Sequence, residues 1–241
     1  MLILLQYFIF IIIGIFAGIT AGLLGLGGGI VVVPALAIVF MVMHVNPTII
    51  MHVATGTSLA TMVFTSIFSI ISHNQRRAII WKLFFMMSPG IVIGSMLGAF
   101  SANLISTTIL KIIFSIFLLI VAVKMFFLVK PKTKKRVPKH WKTAVISIFI
   151  GMPSGLLGIG AGTLGVPFLT RYGVPIRKAS GIAAACGLPI AIAGTITVIF
   201  TGWHQIGLPQ FSSGYVHWPS VIGVSFGSLL GVNIGARLSM L

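Results

Sequence analysis

Two copies of one glycine-rich string interrupt long apolar segments, and any fold has to accommodate both. The first runs Gly18-Ile19-Thr20-Ala21-Gly22-Leu23-Leu24-Gly25-Leu26-Gly27-Gly28-Gly29 and leads on to Pro34. The second runs Gly151-Met152-Pro153-Ser154-Gly155-Leu156-Leu157-Gly158-Ile159-Gly160-Ala161-Gly162 and leads on to Pro167. A single offset relates them, since 155 − 22, 158 − 25 and 167 − 34 are all 133. Inside a helix each glycine costs about 1 kcal/mol relative to alanine, so each string marks a helix break. Broken apolar segments at matching places in two halves point to a transporter binding site. The plainer alternative is that the glycines only let neighbouring helices approach closely. The pairing favours the site.

Composition sets the surroundings of these breaks. The chain is 58% hydrophobic and 7% charged, with a mean hydropathy of +1.18, which excludes a soluble globular domain. It holds no Asp or Glu, against 16 Lys plus Arg and 6 His. Such a charge on a folded surface would suggest nucleic acid. Here the cations sit in short loops between apolar segments, the pattern of a membrane protein, so no nucleic-acid partner is expected. Without carboxylates the chain cannot build a general-acid pair, a carboxylate metal site or an Asp/Glu proton relay. An interior without fixed negative side chains suits an anion and not a cation; no metal or other cofactor is expected. Cys186 is the only cysteine, so no intrachain disulfide forms. No basic residue precedes Arg76, which argues against a cleaved signal peptide.

In chain order, apolar segments run from about Leu2 to Gly22, Gly29 to Met43, Ile49 to Ile71, Trp81 to Ala102 and Thr107 to Val129. A basic stretch, 130–140, separates them from segments at about Trp141 to Leu157, Gly162 to Leu169, Ala179 to Phe200 and Trp218 to Leu238. This predicts an all-α integral membrane protein of about nine transmembrane or partial segments in two inverted repeats with glycine-broken helices. Residues 1–129 form the first repeat plus an extra helix, 130–140 a basic cytoplasmic linker and 141–241 the second repeat. Gly90, Gly94, Gly98 and Ala102 step by four, as do Gly223, Gly227, Gly231 and Gly235, again 133 apart. Residues four apart share a helix face, so both ridges are expected to pack helices closely. If both short post-break segments cross the membrane, Arg76, Arg77, Lys82, the linker, Arg171, Arg177, Lys178 and Arg237 share one side. The positive-inside rule makes that side cytoplasmic and the N-terminus external.

A helix that starts inside a membrane offers unpaired amide N–H groups and a partial positive charge, an anion site made from backbone. Gly25, Gly27, Gly28 and Gly29 open one such helix, and Gly158, Gly160 and Gly162 open the other, giving two candidate anion sites. His52, Thr55, Thr57 and Ser58 add polar side chains after the Asn46-Pro47 turn, and Ser180 is the looser counterpart in Ala179-Ser180-Gly181. Two other readings stay open. Broken helices also line channels, and Ser154 with His217 or His204 is the nearest the chain offers to a serine hydrolase.

The paired strings, together with Ala54-Thr55-Gly56-Thr57-Ser58-Leu59 and the glycine-stepped final helix, resemble the sulfite exporter TauE/SafE family over nearly the whole chain. The resemblance implies carriage of small sulfur-containing anions, sulfite or organosulfonates, across a bacterial cytoplasmic (inner) membrane. It covers both exporters and uptake permeases. Direction, a coupling ion and a homo-oligomer stay open. The chain departs from the usual pattern at Ala161, and at Ile182-Ala183 where the first half has Thr57-Ser58, which implies a less polar second half-site.

Overall fold

A computed structural model describes residues 2–24, 28–127 and 140–238. Within them lie nine helices: α1 (Leu2–Leu24), α2 (Gly29–Val42), α3 (Ile50–Gln75), α4 (Trp81–Asn103), α5 (Thr107–Phe127), α6 (His140–Leu157), α7 (Gly162–Arg171), α8 (Ile176–Thr201) and α9 (Trp218–Leu238). These match the nine apolar segments, because an uninterrupted apolar run of that length must satisfy its backbone internally. A short hairpin, β1 (Ser212–Ser213) with β2 (Val216–His217), joins α8 to α9. Gly25, Gly27 and most of the basic linker, including Lys134, lie outside the described residues.

Burial sorts the helices. Every residue from Ile49 to Met62 is buried, as is every residue from Gly181 to Gly187, so α3 and α8 form the centre and pack on each other. A helix enclosed on all faces needs apolar or small residues all round, and both supply them. The periphery is apolar too: Phe8, Phe16, Phe85, Phe149 and Phe200 are 58% or more exposed. An outer belt of exposed phenylalanine is untenable in water and suits lipid. Three helices, α3, α4 and α8, are long and apolar enough to cross a membrane, and shorter apolar stretches lie within five others.

The ridges do pack helices, and they pack across the two halves of the chain. In α4, a Cβ at Gly90, Gly94 or Gly98 would run into the carbonyls of Ala144, Ile148 or Met152 in α6. In α9, a Cβ at Gly227, Gly231 or Gly235 would run into the carbonyls of Ile11, Ile15 or Ile19 in α1. The first helix of each half therefore lies on the last helix of the other half's matching set. The register corrects the sequence reading. Gly151 meets Ile91 as Gly18 meets Ser228, so these partners stand 137 apart (228 − 91) while the glycines stand 133 apart (151 − 18). A ridge repeating every four residues looks the same after a shift of one turn. The shift is a net one: the second half is eight residues shorter from the break to the central-helix glycine (181 − 162 against 56 − 29) and twelve longer from there to the tryptophan (218 − 181 against 81 − 56).

The same register relates the lead-ins to α4 and α9. Arg77 has φ 50° and Gly214 has φ 55°, and each precedes three non-helical residues and then a tryptophan, Trp81 or Trp218. Each lead-in crosses a glycine of a central helix. A Cβ at Gly181 would stand 2.7 Å from the Ala78 carbonyl, and one at Gly56 would stand 2.5 Å from the Tyr215 carbonyl. Ala78 lies at the start of α4, whereas the Tyr215 hydroxyl bonds to Asn103 at its end, so the two crossings sit at opposite ends of the bundle. The guanidinium of Arg177 donates to the Arg76 carbonyl at 3.4 Å, placing the two basic turns at one end.

Candidate functional site

The two helix breaks do not stand apart as separate sites. A Cβ on Gly29 would overlap the Gly158 carbonyl and stand 3.0 Å from the Ile159 Cα, so the breaks meet in the buried core. Both turns need left-handed backbone that glycine adopts without strain. Gly28 has φ 73° and Gly158 has φ 67°. At Gly28 the carbonyl accepts the N–H groups of Val31 and Val32 and starts α2. At Gly158 the carbonyl accepts the Ser58 hydroxyl at 2.8 Å, which ties α3 to the second break.

Beyond Gly158 the chain enters α7 through Ile159, Gly160 and Ala161, all buried. Ile159 N–H donates to the Ser154 carbonyl, but the N–H groups of Gly160 and Ala161 donate to no acceptor among the described residues. Thr163 caps the Gly160 carbonyl with its hydroxyl at 3.3 Å. Buried amides are nearly always paired. Two consecutive unpaired ones at the N-terminus of a helix form a donor site awaiting an acceptor, with the helix dipole favouring negative charge. Gly162 opens α7 itself, and the first-turn N–H groups, which have no intrahelical acceptor, extend the same donor row.

The other sequence-predicted residues divide. Ser58 reaches the joined breaks. Thr55 gives its hydroxyl proton back to Met51 and His52 of its own helix. Thr57 accepts the His217 N–H at 3.1 Å, and no described acceptor takes its own hydroxyl proton. His52 sits away from the breaks, its Nε2 3.0 Å from the carbonyls of both Ala102 and Ile105, where α4 turns toward α5. Ser180, half-buried near the start of α8, makes no side-chain hydrogen bond among the described residues. The nominated serine–histidine pair is not formed: Ser154 bonds back to Ile150, His204 is exposed in the turn after α8, and His217 Nδ1 pairs with Ser220 at 2.7 Å.

The halves are chemically unequal. Gly56 with Tyr215 matches Gly181 with Ala78, so Ile182 and Ile80 stand where Thr57 and His217 stand. His217 is 4% exposed, its ring edge-on to Phe40 at 5.5 Å. Sequence reasoning missed its partnership with Thr57 because 160 residues separate them. It also missed a cleft at that end of the bundle, where Tyr215 meets Asn103 and Gln205.

Apolar helices with a lipid-type surface, enclosing a polar break, define a multi-pass membrane protein of the transporter class. The chain belongs to the sulfite exporter TauE/SafE family, whose model matches residues 10–241. It is 34% identical to a "Probable membrane transporter protein" of Haemophilus influenzae, covering 95% of this chain and 88% of that one. It is 29% identical to "Probable membrane transporter protein MJ0441" of Methanocaldococcus jannaschii, covering 95% and 86%. It is 25% identical to "Probable membrane transporter protein YunE" of Bacillus subtilis, covering 98% and 89%. No solved structure matches the chain.

Proposed function

We propose that the chain is a carrier for a small anion, a sulfur oxyanion or organosulfonate such as sulfite, working by alternating access between two inverted repeats. The observation that carries this reading is the pair of buried N–H groups at Gly160 and Ala161 that find no acceptor among the described residues, where the two helix breaks meet. An anion supplies the acceptor those amides lack, and the absence of any Asp or Glu removes a competing negative charge. Alternating access is supported by the crossed packing of α1 on α9 and α4 on α6, together with the two lead-ins at opposite ends of the bundle. Such a plan lets one half rock against the other around a central site. The basic turns gathered at one end support a cytoplasmic position for that end in a bacterial inner membrane, with the N-terminus outside.

The test is uptake of radiolabelled sulfite and 2-hydroxyethanesulfonate by proteoliposomes. A carrier gives saturable flux that unlabelled anion on the far side accelerates. Flux rising linearly with concentration, or none for either anion, overturns the reading.

A further inference from the structure

At the end of the bundle opposite the basic turns, a cleft of about 420 Å³ opens between the start of α3, the α4–α5 turn and the α8–α9 hairpin. We propose that this cleft is a second, outer binding site for a small organic anion, whose acidic head is held by the carboxamides of Asn103 and Gln205. The Tyr215 hydroxyl donates to Asn103 Oδ1 at 2.9 Å and lies 3.4 Å from Gln205 Oε1. The phenol's one proton goes to Asn103 Oδ1, Gln205 Oε1 faces the same hydroxyl at the longer distance, and both NH₂ groups are turned away from it. Asn103 Nδ2 has no described partner, and Gln205 Nε2 has only a long contact, 3.5 Å, to the Ile206 carbonyl. His52 Nε2 is committed to the Ala102 and Ile105 carbonyls and serves as wall. The Ser106 hydroxyl also lines the cleft.

A lining whose carboxamide oxygens face the phenol and whose carboxamide N–H groups are spare favours a ligand made of acceptors, which is an anion. No Lys or Arg lines the cleft, so an anion is held there by neutral donors that release it readily. Ile49 and Leu104 provide an apolar wall, and the volume falls in the range of about 300–1,000 Å³ typical of organic ligands. A bare sulfite leaves most of it empty. The apolar wall beside the spare N–H groups suits a sulfonate or carboxylate with a short organic body.

Tyr215 is the positioning residue. It is buried, its ring stacks on His52 at 5.2 Å, and its carbonyl crosses Gly56 one residue before Thr57. The cleft joins first-half Asn103 to second-half Gln205 and Tyr215, so an occupant bridges the two halves. That it is the transported substrate rests on the carrier reading; that the cleft binds anions does not.

The experiment is calorimetric titration of the full chain in lipid nanodiscs with 2-hydroxyethanesulfonate, acetate and sulfite. The parent is expected to bind the two organic anions more tightly than sulfite at this site. Asn103→Ala with Gln205→Ala weakens binding at least tenfold, and Asn103→Asp with Gln205→Glu, equal in size but acceptor for donor, abolishes it. Tyr215→Phe weakens binding while leaving thermal stability near the parent's. Ser58→Ala, at the helix breaks, leaves this binding in place. Binding within twofold of the parent in both double variants overturns the proposal, as does a parent that binds neither organic anion at millimolar concentration. Unaltered binding in the variants with intact flux removes the cleft and keeps the carrier. Variant-sensitive binding without parental flux does the reverse.

Discussion

Ser58 and Thr57 are neighbours on α3 with separate duties. The Ser58 hydroxyl satisfies the Gly158 carbonyl, so Ser58→Ala leaves a buried acceptor unpaired, at a cost of about 1–3 kcal/mol. It also frees the second break to shift. The expected outcome is a lower melting temperature together with reduced sulfite flux in proteoliposomes. Thr57, nominated from the sequence for the anion site, holds the buried His217 N–H with its oxygen. Thr57→Val therefore costs stability, again about 1–3 kcal/mol, whereas Thr57→Ser keeps the acceptor and stays near the parent. Thermal denaturation in detergent separates the two. Equal melting temperatures for Val and Ser would show that the hydrogen bond contributes nothing.

Among the helices, glycines that look alike in the sequence divide by what lies over them. Gly98 faces the Met152 carbonyl of α6 and Gly231 faces the Ile15 carbonyl of α1. Gly98→Leu or Gly231→Leu forces those backbones apart and costs at least the roughly 1–3 kcal/mol of ordinary overpacking. Loss of a monodisperse peak in size-exclusion chromatography is expected, while Leu97→Ala, on a half-exposed neighbour, leaves the peak unchanged. Gly165 behaves differently. In the middle of α7, its added Cβ would stand 3.7 Å from the Ala183 Cβ, an ordinary contact. Gly165→Ala is expected to raise stability by about 0.4–1 kcal/mol through the lower entropy of the unfolded chain. A fall in melting temperature there would mean that α7 needs glycine's freedom to move.

For the molecule as a whole, the same-end placement of Arg76 and Arg177 and the opposite-end placement of Tyr215 make sidedness testable. In a Cys186→Ser background, Ile206→Cys in the α8–α9 connection is expected to react with an impermeant maleimide in intact cells. Lys178→Cys is expected to react only after permeabilisation. Both positions are exposed, so access through the membrane decides the result. The reverse pattern inverts the orientation, and labelling of both from outside removes the crossing assigned to α8.

The sequence by itself determined the helices, the role of the ridges and the family, because each rests on local chemistry. Apolar length marks a spanning helix, a four-residue step marks one face, and a glycine cluster marks a break. What only the tertiary structure decided was who meets whom. The ridge read as an offset of 133 pairs at 137 (228 − 91), since a repeating face carries no information about which turn of its partner it meets. The two breaks, read as two sites, join through Gly29 and Gly158. Asn103, Gln205 and Tyr215 carry no mark as a group in the sequence, and the α8–α9 hairpin brings them together. Hydrogen bonds between residues a hundred or more positions apart depend on how whole helices cross. That crossing is fixed by packing against every neighbour at once, not by any one segment.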